Sequence, residues 1–96
     1  MANVNILTLT KECLGIVSTA TLKDNEINTL IEAAKADFAR IGVTYDNENP
    51  LHQTAVVNFV KGNFGMTDVD TKDKCLEIYK LLISQIQVST SNNASA

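Results

Sequence analysis

The chain has no tryptophan, one proline, four glycines and only five aromatic residues (three Phe, two Tyr) in 96. So few proline and glycine residues exclude a turn-rich β architecture. So few aromatics leave the packing to Leu, Ile, Val and Ala. There are two cysteines, Cys13 and Cys75, one histidine, and no CxxC or His/Cys pair at ligand spacing, so no metal site is expected. Both cysteines fall on expected apolar helix faces and read as buried free thiols, a Cys13–Cys75 disulfide being the alternative. No apolar run approaches the ~20 residues that cross a bilayer, and no basic stretch precedes an apolar one as in an export signal. No membrane association is expected, and the chain reads as cytosolic or built in the cytosol. The eight basic residues are scattered, and the net charge is −3 with a pI of about 4.9. Tight nucleic-acid binding rests on clustered cations, so that function class is disfavoured. A catalytic role fails on inventory: no nucleophile–base constellation, phosphate loop or paired carboxylates can be placed in a cleft. No cofactor is expected.

Hydrophobic residues make up 45% and charged residues 20%, the balance of a folded soluble protein. A chain of 10.4 kDa is one domain, burying about two-thirds of its extended-chain surface. The fold class is all-α: a small bundle of three main helices plus a short N-terminal helix. Residues 1–88 form a single helical domain, and 89–96 (STSNNASA) form a polar tail, disordered in isolation.

The stretch NPLHQTAVVNFVKGNFG (residues 49–65) organises the rest. Asn49 caps a helix, and Pro50 fits the first helical position, where a missing N–H is harmless. Leu51, Ala55, Val56, Val57, Phe59, Val60 and Phe64 cover roughly two-thirds of the circumference at ~100° per residue. Such a helix, about 50–64, belongs in the middle of the fold, ended by a left-handed Gly65. His52 and Asn63 lie in the apolar arc near the helix ends, where solvent or unpaired backbone groups satisfy them, and a structural role for the lone His outweighs a catalytic one. Gly62 costs roughly 1 kcal/mol in a helix interior and is explained if another helix crosses closely there.

Before it, residues 1–7 read as extended or loosely ordered, and Thr8 or Thr10 caps a short helix to about Leu14. Leu9, Cys13 and Leu14 face inward and Lys11 and Glu12 outward, with Gly15 as the stop and Ser18–Thr21 as a loop. The next helix runs from Leu22 or Asp24 to Ile41. Ile27, Leu30, Ile31, Ala34, Phe38 and Ile41 form its inward stripe, and Gly42 ends it. In the connection VTYDNE (residues 43–48), Tyr45 either covers an end of the core or faces a partner. After residue 64, Asp68, Asp70 and Thr71 are helix caps; the offsets of a calcium loop are not met. The last helix spans about 71–87. Cys75, Leu76, Tyr79, Leu82, Ile83 and Ile86 make its main stripe, while Ile78, Leu81 and Val88 project from another side. A second apolar side on the last helix of so small a protein points to a partner. The candidate subunit or partner contacts are Ile78, Leu81, Val88, Tyr45 and Val17. The candidate core is Ile27, Leu30, Ile31, Phe38, Leu51, Val56, Phe59, Val60, Phe64, Leu76, Tyr79, Leu82 and Ile83.

The succession LTKECLGI, LKDNEINTLIEAAKADFARIGV, NPLHQTAVVNFVKGNFG, an Asp-containing turn and KCLEIYKLLISQI resembles the phage head–tail connector family, over roughly residues 7–86. These are the DNA-packaging or head-completion adaptors of tailed bacteriophages and prophages. LIEAAKADF (residues 30–38), Gly42-Val43, Pro50-Leu51, AVVNFVKGNFG (residues 55–65) and the spaced Tyr79 and Leu82 carry the likeness. Gly62 departs from the more helix-favouring residue expected at that place, and the segment before the second helix lacks the acidic run common there. The resemblance implies a structural virion protein of the head–tail junction, assembled in the bacterial host cytoplasm and without catalysis. It implies a homo-oligomeric ring, dodecameric in the virion, docked below the portal protein and joining the filled head to stopper or tail-completion proteins. DNA would pass through the ring without sequence-specific binding, which the negative net charge suits. The competing expectation is a small DNA-binding or regulatory module, with the second and third helices as a helix-turn-helix. The connection from Gly42 to Asn49 exceeds the 3–4-residue turn of that motif. Thr54, Asn58 and Lys61 also offer little for base and phosphate contact.

Overall fold

Two glycines in left-handed backbone, Gly15 (φ 77°) and Gly42 (φ 83°), end the first two helices of an all-α fold. The computed structural model describes residues 5–17 and 19–95, with side chains through residue 89. Its elements are α1 (Ile6–Cys13), α2 (Asp24–Arg40), α3 (Pro50–Asn63) and α4 (Val69–Ser95). At the end of α2, the Val43 N–H donates to the Phe38 carbonyl (2.9 Å) and the Gly42 N–H to that of Ala39 (3.0 Å). This pairing satisfies two otherwise orphaned carbonyls and requires positive φ at the glycine. Gly15 does the same for α1, where the Ile16 N–H reaches the Lys11 carbonyl at 2.9 Å.

The start of α3 follows its local chemistry. Asn49 Oδ1 accepts from the Leu51 N–H at 2.9 Å, and Pro50 occupies the first turn. Its end does not. Phe64 leaves in an extended conformation (φ −70°, ψ 131°), and Gly65 is not left-handed. Instead the Gly65 N–H is bound by Glu26 Oε2 at 3.0 Å, from a residue far back in the chain. At the start of α4, Asp68 accepts from both the Thr71 N–H (3.0 Å) and the Thr71 hydroxyl (2.7 Å). The helix begins at Val69 and continues through Ser95, beyond the end expected at Gln87.

α3 packs against α1, α2 and α4. The core between them contains Ile27, Ile31, Ala34 and Phe38 of α2, Ala55, Val56 and Val60 of α3, Phe64, Val43, and Tyr79 and Ile86 of α4. Leu30, Phe59, Leu82 and Ile83 pack against it half-buried. Removing each large aliphatic side chain from water stabilises by about 1.5–3 kcal/mol. Leu51, expected in the core, is 41% exposed. It lies about 100° round the helix from its neighbour, and the inward position of that first turn is taken by His52. The α3–α4 crossing is close at Gly62. A Cβ there would stand 2.6 Å from Leu76 Cδ2 and 2.7 Å from Leu76 Cγ.

α1 differs most from its expected form. It starts at Ile6, not Thr8 or Thr10, with Asn5 Oδ1 accepting from the Thr8 N–H at 3.1 Å. Lys11, expected outward, is 3% exposed, and Cys13, expected inward, is exposed. The buried ammonium of Lys11 is held by Asp24 Oδ1 (2.9 Å) and by the Ala20 carbonyl (2.7 Å). Those partners from the following loop and α2 decide which side of α1 turns inward. Thr10 is also fully buried, and its hydroxyl has no hydrogen-bond partner among the described residues. Both thiols are free, and Cys75 is buried.

Candidate assembly surface

The face of α4 that packs inward is centred on Tyr79, whose ring meets Phe59 edge-on at 5.1 Å between centroids. At 100° per residue, Leu81 and Val88 lie almost diametrically opposite Tyr79, with Ile78 between the two sides. They are 67%, 60% and 44% exposed. Residues 78, 81, 85 and 88 therefore form one outward stripe, and Gln85, Val88, Ser84 and Ser89 line a shallow depression at its far end. Leu81 and Val88 stand mostly in solvent, and Ile78 nearly half so.

The inward side is fixed by a polar tie. The Tyr79 hydroxyl donates to Asp37 Oδ2 at 2.5 Å, and Arg40 donates to Asp37 Oδ1 at 2.8 Å. Burial alone would raise the Asp37 carboxyl, but the hydrogen bonds from Tyr79 and Arg40 and the Arg40 charge hold it below its ordinary value. Burial and the Asp37 carboxylate push the Tyr79 hydroxyl well above the ordinary tyrosine value. This tie clamps α4 to α2, so the rotation that presents Leu81 and Val88 to solvent is set from the core.

Val17, 68% exposed, follows the Gly15 stop at another end of the bundle. There Leu14, Ile16, Phe64 and Met66, with Lys61 and Asp68, line a groove of about 460 Å³. Met66 and the nearby Val69 are both exposed, and Leu22 is the most exposed large apolar side chain described, at 97%. Sequence reasoning passed over these three. The available signal was an apolar side chain within a segment otherwise read as turn or helix start.

Tyr45 is half-buried. Its ring meets Phe38 edge-on at 5.7 Å and lies 6.0 Å from His52, and Lys35 Nζ stands 5.3 Å from its centroid. It therefore covers one end of the core and keeps an outer edge in water. The depression on α4, the groove beside Val17 and the pocket that Tyr45 lines share no lining residue, so Ile78, Leu81, Val88, Tyr45 and Val17 do not line one site. Among the described residues no three His, Cys, Asp or Glu side chains converge as a metal site requires, and no helix is long and apolar enough to cross a membrane.

The family model for phage connector proteins matches residues 6–92, from the first residue of α1 to the last turns of α4. The chain belongs to that family. Membership makes it a structural connector component of a phage particle, and places the α4 stripe on a protein that works by contacting other virion proteins. No curated protein and no solved structure matches the chain.

Proposed function

We propose that this connector is a ring-forming adaptor that docks below the portal and joins the DNA-filled head to stopper or tail-completion proteins. The observation that carries the reading is the exposed stripe of Ile78, Leu81 and Val88, opposite the side by which α4 is clamped to the core. Val17 and the edge of Tyr45 are the further candidate contacts. An apolar surface used by two copies face to face closes a dimer and stops. A surface that meets a different surface of the next copy propagates round an axis. The α4 stripe and the groove beside Val17 are distinct, which favours the second arrangement and hence a ring; a dodecamer in the virion would match the portal. DNA would slide through without base readout, since the net charge is −3. The role is structural, not catalytic, and its site is the head–tail junction of the virion.

The test is mass measurement by light scattering or sedimentation over a wide concentration range, with and without portal protein. Concentration-dependent or portal-dependent assembly supports the reading; a strict monomer that ignores portal overturns it. Leu81→Asp should abolish assembly while leaving stability within ~0.5 kcal/mol, as at other exposed sites. Collapse of the monomer would return Leu81 to the core.

A further inference from the structure

His52 sits in the first turn of α3, 6% exposed, with its ring edge-on to Phe38 at 5.1 Å between centroids. Its Nδ1 accepts a hydrogen bond from the Asp46 backbone N–H at 2.9 Å. A ring nitrogen that accepts carries no proton, so the neutral ring is the Nε2–H tautomer. That bond reaches across the connection between α2 and α3 and holds its middle down. Beside it, Gln53 Nε2 donates to the Asn47 carbonyl at 2.8 Å, and the Tyr45 hydroxyl to Asn47 Oδ1 at 3.2 Å. Within the connection, the Glu48 N–H donates to Asp46 Oδ1 at 3.0 Å.

We propose that His52 is a proton-operated latch: its neutral ring holds residues 43–49 against the end of the bundle, and protonation at Nδ1 releases them, and Tyr45 with them. An Nδ1–H would point at the Asp46 N–H, two donors facing one another in a part-buried site, and the hydrogen bond would be replaced by repulsion. The geometry also supplies a second state. The Asp46 carboxylate, one residue from Tyr45, is the counter-charge to which the imidazolium can turn once the Asp46 N–H has let go.

The charges around the ring fit this direction. From the connection, Tyr45 and Asp46 face it, with Glu48 beyond. From α2 come Phe38 and, across the Tyr45 ring, Lys35. From α1, Cys13 shares a groove with Pro50 and Gln53 of the same α3 turn. α4 carries no titratable side chain after Lys80. Burial lowers the imidazole below its ordinary value, and Asp46 only partly opposes this. A depressed folded-state value means that the closed connection is favoured above the ordinary histidine range. That advantage is lost as pH falls through the folded-state value.

The latch stands on the geometry of one chain and holds whether or not the ring reading does. It is tested by following the His52 ring signals and the Asp46 amide exchange by NMR from about pH 8 to pH 5. The expected result is an Nε2–H tautomer at high pH, titration below the ordinary histidine value, and loss of Asp46 protection in step with it. That loss is about tenfold per unit of depression, because both report one equilibrium. Amides in the middle of α2 and α4 should keep their protection. His52→Asn, whose side-chain oxygen can stand where Nδ1 stands, should keep Asp46 protected at every pH. His52→Phe should leave it unprotected throughout. Asp46 protection that persists through the His52 titration overturns the proposal, as does an undiminished pH response in His52→Asn. Should a variant not fold, the wild-type titration decides alone.

Discussion

Gly62→Ala should destabilise the protein, although helix propensity argues the other way. In an open helix interior, replacing Gly with Ala gains about 1 kcal/mol. At Gly62 the new methyl would stand 2.6 Å from Leu76 Cδ2, 2.7 Å from Leu76 Cγ and 3.4 Å from the Leu76 backbone nitrogen. Swinging the end of Leu76 aside relieves the first contact only. Cγ is held one bond from Cβ, so α4 must either move away or take a strained rotamer at Leu76. Overpacking of this kind costs typically about 1–3 kcal/mol. Set against the propensity gain, the net is a loss of up to about 2 kcal/mol, or up to roughly 16 °C in Tm for a domain of this size. Urea unfolding followed by far-UV circular dichroism gives the number directly. Leu76→Ala makes the control, since it removes both offending atoms. In the double variant the propensity gain should reappear, with a coupling of about 1 kcal/mol or more between the two sites. A Gly62→Ala protein more stable than the wild type by about 1 kcal/mol would refute the close crossing.

Phe59→Ala removes a ring half-buried against Tyr79 and should cost about 3 kcal/mol, the lower end for such truncations, read by the same unfolding experiment; a loss under ~1 kcal/mol would remove α3 from the centre of the fold. Thr10→Val deletes a buried hydroxyl that lacks a partner while keeping its shape, and should be neutral or stabilising by up to ~1 kcal/mol in denaturant titration. The Tyr79 hydroxyl is held above its unfolded value of 10.0, so its contribution is complete below about pH 10 and is lost as pH rises beyond it. Tyr79→Phe should therefore flatten the alkaline loss of thermal stability, leaving a residue from Tyr45, which is also raised by burial and by Asp46.

What could be read from the sequence was what local chemistry decides. The Asn49–Pro50 start, the Gly42 stop and the inward stripe of α2 each depend on residues within a turn or two of one another. Gly62 was legible as an anomaly, and the structure supplies the crossing that resolves it. Where distant partners decide, local pattern misled. Gly65 was expected to be left-handed, but its N–H is taken by Glu26 and the turn needs no positive φ. Lys11 looked like a surface cation until Asp24 and the Ala20 carbonyl closed round it. Leu51 matched the apolar periodicity, yet the first turn of α3 gives its inward position to His52. The outward stripe of α4 was visible as a second periodicity. Leu22, Met66 and Val69 were not, because isolated apolar residues beside turns carry no period.

The buried ammonium of Lys11 also has a consequence for the order in which the molecule opens. α1 has eight residues, too few to persist as a helix once detached. An apolar anchor would lose its whole advantage on meeting water, whereas an ammonium recovers its hydration, which offsets much of what undocking costs. α2, α3 and α4 keep the main apolar core among themselves. Although Ile6, Leu7 and Leu14 also pack against the core, α1 is therefore the element expected to lift first, ahead of a three-helix body that opens with the whole. In hydrogen exchange, amides of α1 should become labelled before those of α2 and α3 around Phe38 and Val56.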